Sequence, residues 1–506
     1  MTRSSFELWN RQLDRFPTNG KRATYLAITV AATVVLYYQL YVQGAVVTKV
    51  LADLDMSLTY FILGQVVGGL VGILGSLAAG LADRWGRANL VVYGLIVVSL
   101  LVGVGAPNVG SPLAYMVVFG LIAGVEGVVL VSTPALIRDF SPQLNRASAM
   151  GFWTLGPVLG SLLVTVISSI TLGTHHDWQF QFRVAGVVGA VISLVAFVGL
   201  RELTPRLRDQ RMVSLRDRAL LEARARDIPA DQSTRGHWRQ MMTSRILIPA
   251  GAISCYLLFY YVAVGFLVLF LVTTFGYSDA RANSLATWYW IVNALSLMAF
   301  GVLSDAVGVR KPFMIVGGLI SAFGIGWFAV ATGDSHTSYR LFATIIVVIA
   351  LGTGMTFATW MAAFTETVEA SDPAATVTGL AVWGACVRVV VALSFTALVF
   401  AIPAAGVLAD FGPRVTHTSA AVQAGTAVPA ADLQYLVQHG EDVRRAARNA
   451  PRQWQQLWWI CLAAQLMFLP SVWLLVGRWR PASARADALR HRASVEEELF
   501  RLTVRK

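Results

Sequence analysis

Twelve runs of mostly apolar residues, each about 20 residues or longer, recur along this chain. A run of that length can cross a hydrocarbon layer as one helix. Lipid offers the backbone no hydrogen bonds, so each crossing segment must satisfy its own N–H and C=O groups. The runs fall at roughly 23–49, 57–79, 89–107, 113–137, 147–170, 181–200, 246–274, 282–303, 313–332, 339–364, 375–402 and 454–477. They predict an all-α membrane protein. Composition agrees: 13% of the 506 residues are charged, where a soluble domain carries about a quarter.

Charge sets the sidedness. The segment between spans six and seven, 201–245, holds eleven Arg against six acids. Arg478, Arg480, Arg485, Arg490 and Arg492 follow span twelve, and Arg3, Arg11, Arg15, Lys21 and Arg22 precede or open span one. An even number of spans puts these segments on one side, and the positive-inside rule makes that side cytoplasmic. The expected divisions are a cytoplasmic amphipathic N-terminus 1–22, a first half 23–200, a central linker 201–245, a second half 246–478 and a basic tail 479–506. Ser4 and Glu7 form a capping-box pattern, and Phe6, Trp9, Leu13 and Phe16 then share a face, which predicts a helix lying on the membrane surface. The first apolar run is long enough to span and is expected to be retained rather than cleaved. Ser214 and Asp217 predict a capped helix in the linker. An outward loop, 403–453, carries a polar stretch, 430–449, expected as a helix broken at Gly440. An exposed insertion or a docking site for an envelope partner would both suit that loop.

The chain also repeats itself. After span two stands Ala79-Gly-Leu-Ala-Asp83-Arg84-Trp-Gly86-Arg87; after span eight stands Gly301-Val-Leu-Ser-Asp305-Ala-Val-Gly308-Val-Arg310-Lys311. The two aspartates are 222 residues apart, as are Gly86 and Gly308. A second echo pairs Asp139-Phe-Ser-Pro142 with Glu369-Ala-Ser-Asp-Pro373. Two related groups of six spans are the mark of a duplicated transporter. The glycines permit a tight turn. The aspartates can meet a helix N-terminus or an arginine, and Arg138 at the end of span four is a candidate partner for Asp83.

The first of these turns resembles the signature loop of the major facilitator superfamily, with Ala79 in place of the usual glycine. The resemblance covers about 23–478. It implies twelve transmembrane helices in two six-helix halves, alternating access, and gate-loop contacts that latch the cytoplasmic side while the outside is open. Gly151, Gly156, Pro157 and Gly160 in span five resemble the family's Gly-Pro motif, frequent in proton-antiporting exporters. They also suit close helix crossing, with Pro157 bending the span at the interface between halves. Tyr37-Tyr38-Gln39-Leu-Tyr41-Val-Gln43-Gly44, and the region of Glu366, resemble proton-linked carriers of sugars and small acids. The stretch typical of sugar porters after span six is replaced by Arg201-Glu-Leu-Thr-Pro205-Arg206.

Charges deep in a membrane cost roughly 2.5–3.5 kcal/mol on insertion scales and are functional candidates by default. Glu126 and Arg388 lie near mid-span in spans four and eleven, one in each half. A desolvated carboxyl favours its neutral form, so Glu126 could take and release a proton. Arg388 could hold an anionic group, since its planar fork suits a carboxylate. Packing offers both an alternative, as structural partners within their halves. Candidate cavity residues are Tyr38, Gln39, Gln65 and Trp153 in the first half, with Tyr256, Tyr260, Tyr261, Trp290, Asn293, Trp360 and Trp383 in the second.

No P-loop is visible, and the polar residues inside the spans show no His pair or zinc spacing and no convincing nucleophile–base arrangement. No catalytic residues, metal or cofactor are expected, and no nucleic acid, since the basic residues sit beside apolar spans. Cys255, Cys386 and Cys461 lie inside spans, which argues against disulfides. The favoured reading is a monomeric multi-pass carrier in the cytoplasmic (inner) membrane of a bacterium, moving a small organic anion with protons as symporter or antiporter. A proton-antiporting exporter of amphipathic compounds or drugs is the alternative, and a lipid flippase on the same scaffold a third.

Overall fold

A computed structural model describes residues 11–77, 85–140, 154–204, 207, 241–334, 336–371, 376–483, 486 and 490. Eleven described helices are long and apolar enough to cross a membrane; a twelfth apolar helix, Gly156–Thr171, is shorter. Spans one to six are Asn19–Ala45, Leu58–Leu77, Arg87–Asn108, Pro112–Phe140, Gly156–Thr171 and Trp178–Gly199. Spans seven to twelve are Ser244–Phe275, Asp279–Val307, Lys311–Thr332, Tyr339–Ser371, Thr376–Ala401 and Ala430–Leu474. The face where spans six and seven meet the linker is called the linker face; the face bearing residues 402–429 is the loop face.

The repeat seen in the two gate loops is a repeat of packing. In the first half span four packs on two and three, span five on one, and span six on one and three. Span ten packs on eight and nine, span eleven on seven, and span twelve on seven and nine, pair for pair. Between the halves span five meets span eight, span two meets span eleven, and span one meets span seven.

Small residues set the closest crossings. A Cβ at Gly352 in span ten would stand 2.4 Å from Ser321 N and 2.5 Å from Gly317 O, both backbone atoms of span nine. A Cβ at Gly75 would stand 2.1 Å from Gly124 O, so spans two and four also touch backbone to backbone. Lipid provides no hydrophobic drive between helices, so such close van der Waals contact carries the association.

Two expectations are corrected. Leu13, placed on a surface helix by its spacing, is extended: Gln12–Leu13 pairs in parallel with Glu202–Leu203, and the helix of span one starts at Asn19. Arg11 explains the anchoring, since it is buried, donates to Phe197 O and lies 4.7 Å over the Phe197 ring. Ser4, Glu7, Phe6 and Trp9, with the linker helix at Ser214 and Asp217, lie outside the described residues.

The polar stretch 430–449 is not broken at Gly440. One helix runs from Ala430 to Phe468, through Gly440 and Pro451 and into span twelve. A helical glycine costs about 1 kcal/mol against alanine. Packing along this helix offsets that: Phe411 stacks on His439 at 4.4 Å, Arg414 pairs with Asp432 at 2.7 Å, and Val443, Ala446 and Ala450 are buried.

Pro157 sits in the first turn of the helix Gly156–Thr171, just after helical Thr154 and Leu155 in the αR conformation. Proline is tolerated there because its missing N–H has no helical partner anyway. Gly156 and Gly160 face span one within the first half. Their Cβ positions would meet Thr33 Cγ2 at 2.7 Å and Tyr37 Cβ at 2.6 Å.

Candidate substrate and coupling site

Glu126 stands fourteen residues from either end of the helix Pro112–Phe140, and Arg388 twelve to thirteen from the ends of Thr376–Ala401. At 1.5 Å per residue each is about 20 Å from a helix end. The two belong to different halves, yet the fold brings their charges together: each lies in the other's electrostatic field. Span two leaves room for the acid, since Glu126 Oε2 is 3.9 Å from the position of a Cβ at Gly72.

Tyrosines from both halves surround this pair. Tyr37 feels Glu126, Tyr261 and Arg388, and Tyr41 feels Tyr260, Tyr37, Tyr261 and Glu126. Tyr37 was not singled out from the sequence as a site residue. Gly156 and Gly160, by letting span one approach span five closely, are what set its place.

The remaining candidates divide by position. Tyr261 joins the midplane cluster. Tyr260 packs edge-on against Tyr261 and Trp290, each at 5.2 Å, and Trp290 against Tyr289 at 4.7 Å. Trp360 and Trp383 form a second aromatic group with their rings 5.7 Å apart, flanked by Phe357 and Phe364. The indole N–H groups of both and the hydroxyl of Tyr38 are buried with no hydrogen-bond partner among the described residues. Buried donors of this kind normally have a partner, and a bound solute can supply one.

Gln39 and Gln65 have protein partners. Gln39 Nε2 donates to Ser99 Oγ at 3.0 Å and Ala185 O at 3.3 Å, facing spans three and six. Gln65 exchanges two amide hydrogen bonds with Gln43, at 2.9 and 3.0 Å. Tyr256 is buried within the second half against Phe468, at 4.9 Å. Trp153, Gly151, Asp83 and Arg84 lie outside the described residues, as does the side chain of Arg138.

The gate loops repeat in geometry as well as in sequence. Gly86 and Gly308 both take positive φ, 88° and 79°, a region costly for other residues. Arg87 Nη1 pairs with Asp139 at the end of span four, at 2.9 Å. Arg310 pairs with Asp305, and with Glu366 near the end of span ten at 3.3 Å. Lys311 is buried, with its ammonium 5.6 Å from the Trp479 ring. The Arg87 and Arg310 pairs join spans of the same half.

Sequence reasoning missed Glu202. It is 1% exposed, and its Oε2 accepts from Arg87 N at 2.7 Å, at the free N-terminus of span three. The stretch 201–206 was read for what it lacks, while its glutamate does the capping. Glu202→Ala should cost roughly 1–2 kcal/mol, read as a thermal midpoint several degrees lower; an unchanged midpoint would show the cap to be idle.

The halves are tied together at the loop face. Thr48 Oγ1 donates to Asp279 Oδ1 at 2.6 Å, Lys49 pairs with Asp279 at 3.5 Å, and Asn283 Nδ2 donates to Ala45 O at 3.0 Å.

A family model described as the Major Facilitator Superfamily matches residues 29–381. The chain belongs to this superfamily. Among curated proteins, this facilitator is 23% identical over 348 residues to a probable nitrate/nitrite transporter, NarK2, of Mycobacterium tuberculosis; the match spans 67% of this chain and 81% of that one. It is 22% identical over 283 residues to the efflux pump radE of Floropilus chiversii, covering 52% and 50% of the two chains. Among solved structures, a bacterial homologue of the human lysosomal transporter Spinster, inward-facing and unoccupied, superposes with a TM-score of 0.63 at 14% identity, over 90% of this facilitator and 99% of that chain. A D-xylose–proton symporter gives 0.56 at 16% identity, over 74% and 89%. These likenesses carry the fold.

Proposed function

We propose that this facilitator is a proton-coupled secondary transporter of a small organic anion, working by alternating access in the cytoplasmic membrane of a bacterium. The linker face and both termini lie in the cytoplasm, and the monomer is the working unit. One observation carries the reading: Glu126 and Arg388, from opposite halves, share one electrostatic site at mid-depth. Ionised Glu126 occupies the field of Arg388. A proton on Glu126 removes that counter-charge, and Arg388 then takes the anion of the solute. Proton and anion thus enter the site together, and neither is favoured there alone. The NarK2 relative, named for two small anions, agrees with this class.

The aromatic group around Trp360 and Trp383 favours a second reading, export of amphipathic compounds, and radE is named as an efflux pump. Thermal unfolding of purified protein against small carboxylates, sugars and lipophilic cations separates the two. A ligand at a hundred times its Kd should stabilise the folded state by about 2.7 kcal/mol. Carboxylates should raise the midpoint of wild type and leave Arg388→Ala unmoved. Stabilisation by lipophilic cations alone, equal in both proteins, would replace the anion reading with the exporter reading.

A further inference from the structure

Span eleven ends at Ala401, and the chain then makes a short helix, Pro403–Asp410, over the loop face. That helix belongs by sequence to the second half. It packs against span twelve and span seven, and also against the first half's Val47–Asp53 helix and span two. Its last residue completes the crossing: Asp410 Oδ1 accepts from Leu58 N, the first residue of the span-two helix, at 2.8 Å. Leu58 N is one of the donors a helix leaves without an internal partner. Ser57 caps the neighbouring Tyr60 N at 3.2 Å. A carboxylate placed at a helix N-terminus also meets the positive end of its dipole. Span two therefore takes part of its cap from the opposite half.

We propose that Asp410 is a clasp on the loop face, a positioning residue whose hold on Leu58 must be released each time the transporter opens on that side. This rests on the alternating-access reading above. Spans two and eleven meet across the boundary between halves, so opening the loop face separates the elements that this bond joins.

The surroundings give the clasp a pH response. Asp410 is half-buried, and Asp55, exposed in the turn before span two, acts on it as a like charge. Arg414 is committed to Asp432 and lies 4.2 Å over Tyr435; Lys49 is committed to Asp279; Asp53 accepts from Trp178 and Gln179; His439 is stacked on Phe411, and His417 is exposed. Tyr435 faces the same two acids from the span-twelve helix. Span two and the packed part of span seven, Leu258–Phe275, contain no charged residue. Burial raises Asp410 above its ordinary value and Asp55 adds to the rise; the Leu58 N–H and the positive helix end oppose it without reversing it. A group that binds its proton more tightly in the clasped state than in the opened, solvated one stabilises the clasp as pH falls. The protonated carboxyl keeps a carbonyl oxygen for Leu58 N. Raising the pH on the loop face ionises Asp410 beside Asp55 and loosens the clasp, in a range above the ordinary aspartate value of about 4.

Spin labels at Gly173→Cys and His336→Cys, exposed on the loop face of opposite halves, report the separation once the three native cysteines are replaced. In wild type, the separated population should rise as pH is raised from 4.5 to 8. Asp410→Asn, neutral but still an acceptor, should stay clasped across that range. Asp410→Ala should show the separated population increased at least about threefold at every pH, with folding checked by its thermal midpoint. Two populations in wild type that Asp410→Ala and Asp410→Asn leave unchanged, pH profile included, would overturn the clasp alone. A single distance in all three proteins, with and without a stabilising ligand, would bring down the alternating-access reading and the clasp with it.

Discussion

Glu126→Gln should lower gradient-driven uptake at least about tenfold while leaving exchange of the same solute across a membrane without a gradient. Glutamine keeps the length and polarity of the side chain and cannot bind or release a proton. It resembles the protonated acid, so Arg388 remains free to take an anion on either side of the membrane. What is lost is the counter-charge that returns when the proton leaves, and with it the link between solute and gradient. Proteoliposomes loaded with the stabilising carboxylate measure both quantities in one preparation. Loss of both would assign Glu126 to binding or to folding, and a thermal midpoint taken alongside separates those two. Uptake unaffected by the change would remove Glu126 from the coupling step. Glu126→Asp keeps a titrating group about one methylene further from Tyr37 and Arg388, and should retain part of the gradient response.

Gly352→Leu should be the most damaging single change in the second half. A Cβ at that position would overlap two backbone atoms of span nine, and backbone cannot rotate out of the way as a side chain can. Overpacking of this kind typically costs 1–3 kcal/mol and sometimes more. At roughly 2–4 °C per kcal/mol, the thermal midpoint should fall by about 5–10 °C. Gly69→Ala in span two is the control, because a Cβ there meets nothing within 4 Å. Alanine is the better helix former by about 1 kcal/mol, so that midpoint should hold or rise. Equal midpoints for wild type and Gly352→Leu would mean that spans nine and ten are not held by their close crossing.

Much of this fold was legible because lipid is an exacting solvent. Twelve apolar runs, a basic linker and two gate loops at a spacing of 222 residues were enough to read two six-helix halves. Glu126 and Arg388 were legible for the same reason, since a charge at mid-span costs too much to be incidental. Tyr37 was not. Its place depends on which face of span one meets Gly156 and Gly160, and that is a fact about a helix pair. Gln39 and Gln65 were legible only as polar residues inside a span. Polar residues in a span can satisfy one another as well as a solute, and Ser99 and Gln43 supply their partners. Asp410 stayed hidden because its acceptor role joins residues 352 apart in sequence. The polar half of the last helix was misread because local rules break a helix at glycine, whereas here contacts with Phe411 and Arg414 carry it through.

That last helix is also a lever. From Ala430 to Trp454 it extends 24 residues beyond the last buried tryptophan pair, about 36 Å at 1.5 Å per residue. If it tilts as a rigid arm about Trp454, a rotation of about 10° within the helix bundle becomes a sweep of about 6 Å at its tip. The helix is exposed along much of its length on the side away from Phe411, with Val437 84% exposed. A binding protein raised against residues 430–440 would grip the transporter where its motion is magnified most. Holding the tip would arrest the cycle from outside the membrane, with no need to reach the solute site at all.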